Sequence, residues 1–151
     1  MLIGTVIINL LRSHEVKLAE LYRLYGRRFP AQTDQWEQLY RDEMAHAEVL
    51  GQLFALISAG NIQWDTTRFN AGALQDSIHY LEQLISDTPG SPLTPAGAIQ
   101  RAIDLEQSIL ESNFFEVFTS DAPEIRKEFT ALREHTREHL RFIRTLTSLV
   151  K

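Results

Sequence analysis

Residues 41–50 read RDEMAHAEVL, and the fold turns on how Glu43 and His46 are placed. At helical spacing both fall on the stripe that otherwise carries the apolar residues of this stretch, the side that faces a core. A carboxylate and an imidazole are each costly to desolvate alone, so an inward Glu43 and His46 require partners from elsewhere in the chain.

The flanking residues extend the stripe. In 3-4-3-4 spacing it runs Trp36, Leu39, Glu43, His46, Leu50, Leu53, Ile57. A second stripe of the same spacing lies 93 residues further on: Phe129, Leu132, Thr136, His139, Ile143, Leu146, Val150. The one mismatch in chemical type is Glu43 against Thr136. A third stripe, Ile8, Leu11, Glu15, Leu18, Tyr22, Tyr25, is matched 91 residues later by Ile99, Ala102, Glu106, Ile109, Asn113, Glu116. Glu15 and Glu106 therefore hold equivalent positions. The chain reads as two helical hairpins of related pattern.

Punctuation residues delimit these helices. The first ends near Phe29-Pro30. The second starts at Thr33-Asp34, with Glu37 as capping-box partner of Asp34, and stops near Gly60-Asn61. A polar link over 61–70 leads to a short amphipathic helix over about 71–86. The segment DTPGSPLTP interrupts the chain at 87–95, and Thr94-Pro95 reads as N-cap and first helical residue of a run to about Thr119. Asp121, Pro123 and Glu124 open the last helix, which continues to the C-terminus. No stretch alternates with period two and no Asn-Gly or Asp-Gly hairpin signal occurs.

Composition narrows the function. With 151 residues the chain is read as one domain, residues 1–151, long enough for a substantial core. A formal net charge of −5 argues against a nucleic-acid surface. Arg27-Arg28 at a helix end is assigned to the last carbonyls there. The absence of cysteine excludes disulfides, thiolate zinc sites, iron–sulfur clusters and cysteine nucleophiles, and fits a reducing, cytoplasmic compartment. The apolar run 1–11 lacks a basic flank and is too short to span a bilayer, so it is read as the start of the first helix, against a partner subunit. No Gly-rich phosphate loop and no Ser-His-Asp arrangement is evident.

Residues three apart on a helix point within about 60° of one another, one turn apart in height, so Glu43 and His46 can reach one interior point. A Glu from a neighbouring helix adds a third ligand. Imidazole with several carboxylates and no thiolate suits iron or manganese. These residues resemble the ferritin-like superfamily, in particular the rubrerythrin-type helical domains, which set one Glu on each of two helices and Glu-x-x-His on each of the other two. SHEVKLAELY (13–22) is similar to the helix carrying a ligand Glu followed by Tyr, here Glu15 and Tyr22. RDEMAHAEVL matches a Glu-x-x-His helix, and IDLEQSILESNFF (103–115) and REHTREHLRFI (133–143) correspond to the other two. The resemblance covers about residues 8–150. It implies an all-α, ferritin-like four-helix bundle with a long crossover carrying a short extra helix. It also implies Fe or Mn held by Glu15, Glu43, His46, Glu106 and His139 with Tyr22 beside them, oxidoreductase chemistry on Fe(II), peroxide or dioxygen, and a homo-oligomer, dimer or larger.

The sequence departs from that pattern. Thr136 stands where the family has Glu, Asn113 where the first helix has Tyr22, and the Cys-rich rubredoxin-like module is absent. Two divalent ions bring four positive charges, against three carboxylates from Glu15, Glu43 and Glu106. A hydroxide or bound anion could supply the difference, as could Glu138 or His135 if the last helix rotated; otherwise a single ion on Glu15, Glu43 and His46 follows. The alternative of another class is a metal-free bundle serving as a dimerisation or partner-binding module, with His139 satisfied by Glu106. The resemblance makes Tyr22 the catalytic candidate beside the ions, while on spacing alone Tyr22, Tyr25, Trp36 and Trp64 are assigned to core packing. His14, His79 and His135 are assigned to the surface, and Glu111 and Glu116 to solvent or an interface.

Overall fold

The computed structural model describes residues 2–59, 63–64, 71–112, 114, 118–119 and 123–150. The described chain is all-α apart from one short β-pair. Its helices are α1 (Leu2–Arg28), α2 (Thr33–Ser58), α3 (Ala71–Asp87), α4 (Pro95–Ser112) and α5 (Pro123–Leu146).

Every described member of the four apolar stripes lies in the interior except Val150, which is half-buried, and one hydrophobic cluster joins residues of all five helices. The side chains of Ile57, Asn113, Glu116 and Trp64 lie outside the described residues. α1 packs most extensively on α2, and also on α3; α4 packs on α5, and α2 meets α5. Gly26 permits the close approach of the first pair: a Cβ there would lie 3.1 Å from Cβ of Trp36. α3 turns Leu74, Ile78, Leu81 and Leu84 inward, at the spacing of an amphipathic helix lying on a core.

The helix ends follow local chemistry, with corrections. Phe29-Pro30 stops α1, because the residue before proline is driven out of the helical region. A 3₁₀ turn at Pro30–Gln32 leads straight into α2, so Asp34 lies inside the first turn and not at a cap with Glu37. The Thr33 hydroxyl instead donates to the Gly26 carbonyl at 2.7 Å. Thr94 does cap α4, its hydroxyl accepting the Gly97 N–H at 3.0 Å. Arg28 does not serve its own helix; its guanidinium donates to the carbonyls of Thr88 and Ser91, beyond the end of α3. α4 ends at Ser112, short of Thr119, and Phe118–Thr119 pairs antiparallel with Gln63–Trp64. No helix among the described residues is long and apolar enough to cross a membrane.

Candidate metal centre

The chemistry-bearing residues of four helices converge inside this frame. Glu15 and Tyr22 come from α1, Glu43 and His46 from α2, Glu106 from α4 and His139 from α5, and all six are buried. Burying an ionised carboxylate costs several kcal/mol after relaxation, more than the roughly 1.5–3 kcal/mol gained by burying a leucine in its place. Only mutual compensation makes such a cluster stable.

Glu43, 1 % exposed, stands at its middle. One carboxylate oxygen, Oε1, lies 2.8 Å from Nδ1 of His139, and the other, Oε2, lies 3.3 Å from Nδ1 of His46. Each imidazole also faces a further carboxylate: His46 Nδ1 is 3.8 Å from Glu15, and His139 Nδ1 is 3.5 Å from Glu106. Two Glu–His pairs thus flank a shared Glu43. The Tyr22 hydroxyl donates to Oε1 of Glu106 at 2.7 Å, and its ring rests on Trp36 with centroids 5.6 Å apart.

The electrostatics follow from this crowding. Burial, with the neighbouring Glu43 charge, pushes the Glu15 carboxyl up to about 8. Burial and Glu106 push Glu43 the same way, but hydrogen bonds with Glu15, His139 and His46 outweigh them and hold it below the usual range. Burial disfavours charge on the two imidazoles, yet their carboxylate partners prevail, so His46 rises to about 10 and His139 to about 11. Burial beside Glu106 and Glu43 raises the Tyr22 phenol well above its ordinary value.

The residues fit a cation. Ligand atoms of Glu43, His46 and His139 all lie within 4.8 Å of one another, and this buried group could hold a metal ion. Oε2 of Glu15 and Oε2 of Glu106 are buried with no hydrogen-bond partner. Buried carboxylate oxygens are rarely left so, and a cation held by the cluster would compensate their charge. The compact group differs from the single-ion set expected from sequence: it takes in His139, with Glu15 and Glu106 to either side.

Thr136 supplies no ligand; buried in α5, its hydroxyl donates to the Leu132 carbonyl at 2.9 Å. Glu138 and His135 are exposed and do not replace the missing carboxylate. His135 nevertheless lies parallel to the His46 ring, centroids 5.4 Å apart.

Two residues escaped the sequence reading. His14 is interior, not surface: its Nε2 is 2.9 Å from the Ser77 hydroxyl on α3, and its ring meets Phe114 edge-on. Burial lowers its pKa despite the adjacent Glu15, and the residue ties α3 to α1. Asp42 lies 3.1 Å from Nε2 of His139 and so orients the imidazole whose Nδ1 faces Glu43. The 93-residue offset carried a signal for it, since Asp42 maps onto His135 and the two occupy equivalent flanks. His79, Glu111 and His135 are exposed as read from the sequence.

No known family model, no curated protein and no solved structure matches this chain.

Proposed function

We propose that this chain is a ferritin-like four-helix-bundle metal protein of rubrerythrin type, binding iron or manganese and acting as an oxidoreductase on Fe(II), peroxide or dioxygen. The observation that supports it best is Glu43 set between two imidazoles while Glu15 and Glu106 each keep a buried oxygen without a hydrogen-bond partner. In this reading Glu43, His46 and His139 hold the first ion, with Glu15 and Glu106 completing its surroundings or opening a second, weaker position on the Thr136 side. A bound iron or manganese ion would supply electron transfer and Lewis acidity at a coordination position left open by the protein. The chain's own residues do the rest: Tyr22 holds Glu106 and Asp42 holds His139. Homo-oligomerisation belongs to the same reading.

One observation favours the metal-free alternative. Without any ion, each imidazole already faces two carboxylates at its Nδ1, and Thr136 removes a family ligand. The chain would then be a helical dimerisation or partner-binding module.

Elemental analysis of protein purified without chelator, before and after addition of Fe(II) or Mn(II), separates the two. The metal reading expects near-stoichiometric ion in the wild type and its loss in Glu43→Ala. Ion persisting in that variant contradicts the site. No ion under any loading condition leaves the module.

A further inference from the structure

α2 and α5 do not close over the polar centre. Asp42 meets His139, and four residues later on α2 His46 meets His135, four residues earlier on α5, so the two helices run antiparallel. Between them lies a half-open cleft of about 400 Å³, with His46 and His139 among its lining residues. Its apolar lining is Ala45 and Val49 from α2 with Ala131, Leu132 and Phe142 from α5, set among polar residues of both helices. The small side chains at 45 and 131 leave the space open.

The charged residues of α5 are sorted around this cleft. The helix carries five arginines between 126 and 144, and none of them lines it. Glu128 and Glu138 do line it, and neither has an ion-pair partner among the described residues. Asp42 adds a third carboxylate, engaged with His139. A hydrated metal ion gains nothing from apolar walls, and an organic anion would meet the Asp42, Glu128 and Glu138 carboxylates, since the imidazoles of His46 and His139 are already held between Glu15, Glu43, Glu106 and Asp42. A volume of this size suits a small organic molecule.

We propose that the α2–α5 cleft binds a small organic cation, an amine with an apolar body. Its ammonium group pairs with Glu128 or Glu138, and its body lies along Ala45, Val49, Ala131 and Phe142 with one end at His46 and His139. The proposal names a substrate class for the centre described above and to that extent rests on the metal reading, but binding in the cleft is measured independently of it.

The test is a titration of the chain, metal-free and Mn(II)-treated, with benzylamine, benzyl alcohol and benzoate, followed by amide NMR and calorimetry respectively. The Mn content of every sample is measured alongside. Benzylamine is expected to shift the resonances of Ala45, Ala131 and Phe142 and to bind about tenfold more tightly than the alcohol, with benzoate weaker still. Ala131→Phe should abolish binding by filling the cleft, and Ala45→Leu gives the same readout should that variant not fold. Glu128→Gln combined with Glu138→Gln should bring benzylamine down to the level of the alcohol with Mn content unchanged. Equal binding of benzoate, indifference to the filling variants, or no binding by either form overturns the proposal. Retained Mn(II) without amine binding refutes the cleft alone, whereas amine binding without retained Mn(II) refutes the metal reading and leaves the cleft standing.

Discussion

Asp42 and His139 meet across the α2–α5 boundary at 3.1 Å, carboxylate to Nε2, while the opposite ring nitrogen of His139 points at Glu43. A carboxylate on one imidazole nitrogen fixes the tautomer, so the other nitrogen is the one offered to an ion. Such outer partners matter nearly as much as the ligands themselves. Asp42→Ala should weaken Mn(II) or Co(II) binding by about 10–100-fold, and Asp42→Asn by less, since the amide oxygen still accepts. Competitive metal titration measures both, with thermal melting of the metal-free variants as the control. Equal affinity in wild type and Asp42→Ala would show that the contact orients nothing.

Protons and metal compete for this site. Glu15 is raised to about 8, and His46 and His139 to about 10 and 11, so at neutral pH the cluster carries protons that an ion must displace. Metal affinity should therefore rise with pH, and calorimetry in buffers of different ionisation enthalpy should show protons released per ion bound. A pH-independent affinity between about pH 6 and about pH 8 would contradict the assignment.

The same shifts set the stability of the metal-free chain. All three groups bind protons more tightly folded than unfolded, Glu15 from a starting value of 4.5 and the histidines from 6.5. Their stabilising contribution is present at low pH, declines for Glu15 as pH rises from about 4.5 through about 8, and declines for the histidines from about 6.5 upward. The melting temperature of the metal-free protein should fall from about pH 6 to about pH 9, and Glu15→Gln should flatten that fall. Thermal denaturation across this range is the measurement; a melting temperature that rises through it would be the opposite of the stated sign.

Thr136 occupies the place that mirrors Glu43, and its hydroxyl is spent on the Leu132 carbonyl. Thr136→Glu should raise the number of Fe(II) or Mn(II) ions bound toward two, while destabilising the metal-free chain by adding a buried carboxylate that no cation neutralises. Metal titration followed by elemental analysis reads the stoichiometry. An unchanged count and affinity would show that the second position is closed for another reason.

Tyr22 is the sole hydroxyl donor to Glu106 among the described residues. Tyr22→Phe should cost about 1.5–3 kcal/mol in the metal-free protein, the range for a hydrogen bond to a charged group, and less once an ion shares Glu106. Denaturant melts of both forms decide it; equal losses would disconnect Glu106 from any ion.

Residue pattern and spacing were enough for the all-α class, the near positions of all five helices, and the inward direction of Glu15, Glu43, His46, Glu106 and His139. Helical periodicity determines which residues share a face, and a polar residue on an apolar stripe has to face inward with the rest. The tertiary structure alone decided how these side chains sit relative to one another. It made Glu43 the shared carboxylate, brought Asp42 to His139 and His135 to His46, buried His14 against α3, and left a cleft between α2 and α5. Each of these depends on the distance and rotation between helices far apart in the chain, which packing sets and periodicity within one helix does not encode. The early end of α4 and the short pairing of Gln63–Trp64 with Phe118–Thr119 have the same origin, since a strand gains its hydrogen bonds only from a partner that folding brings beside it.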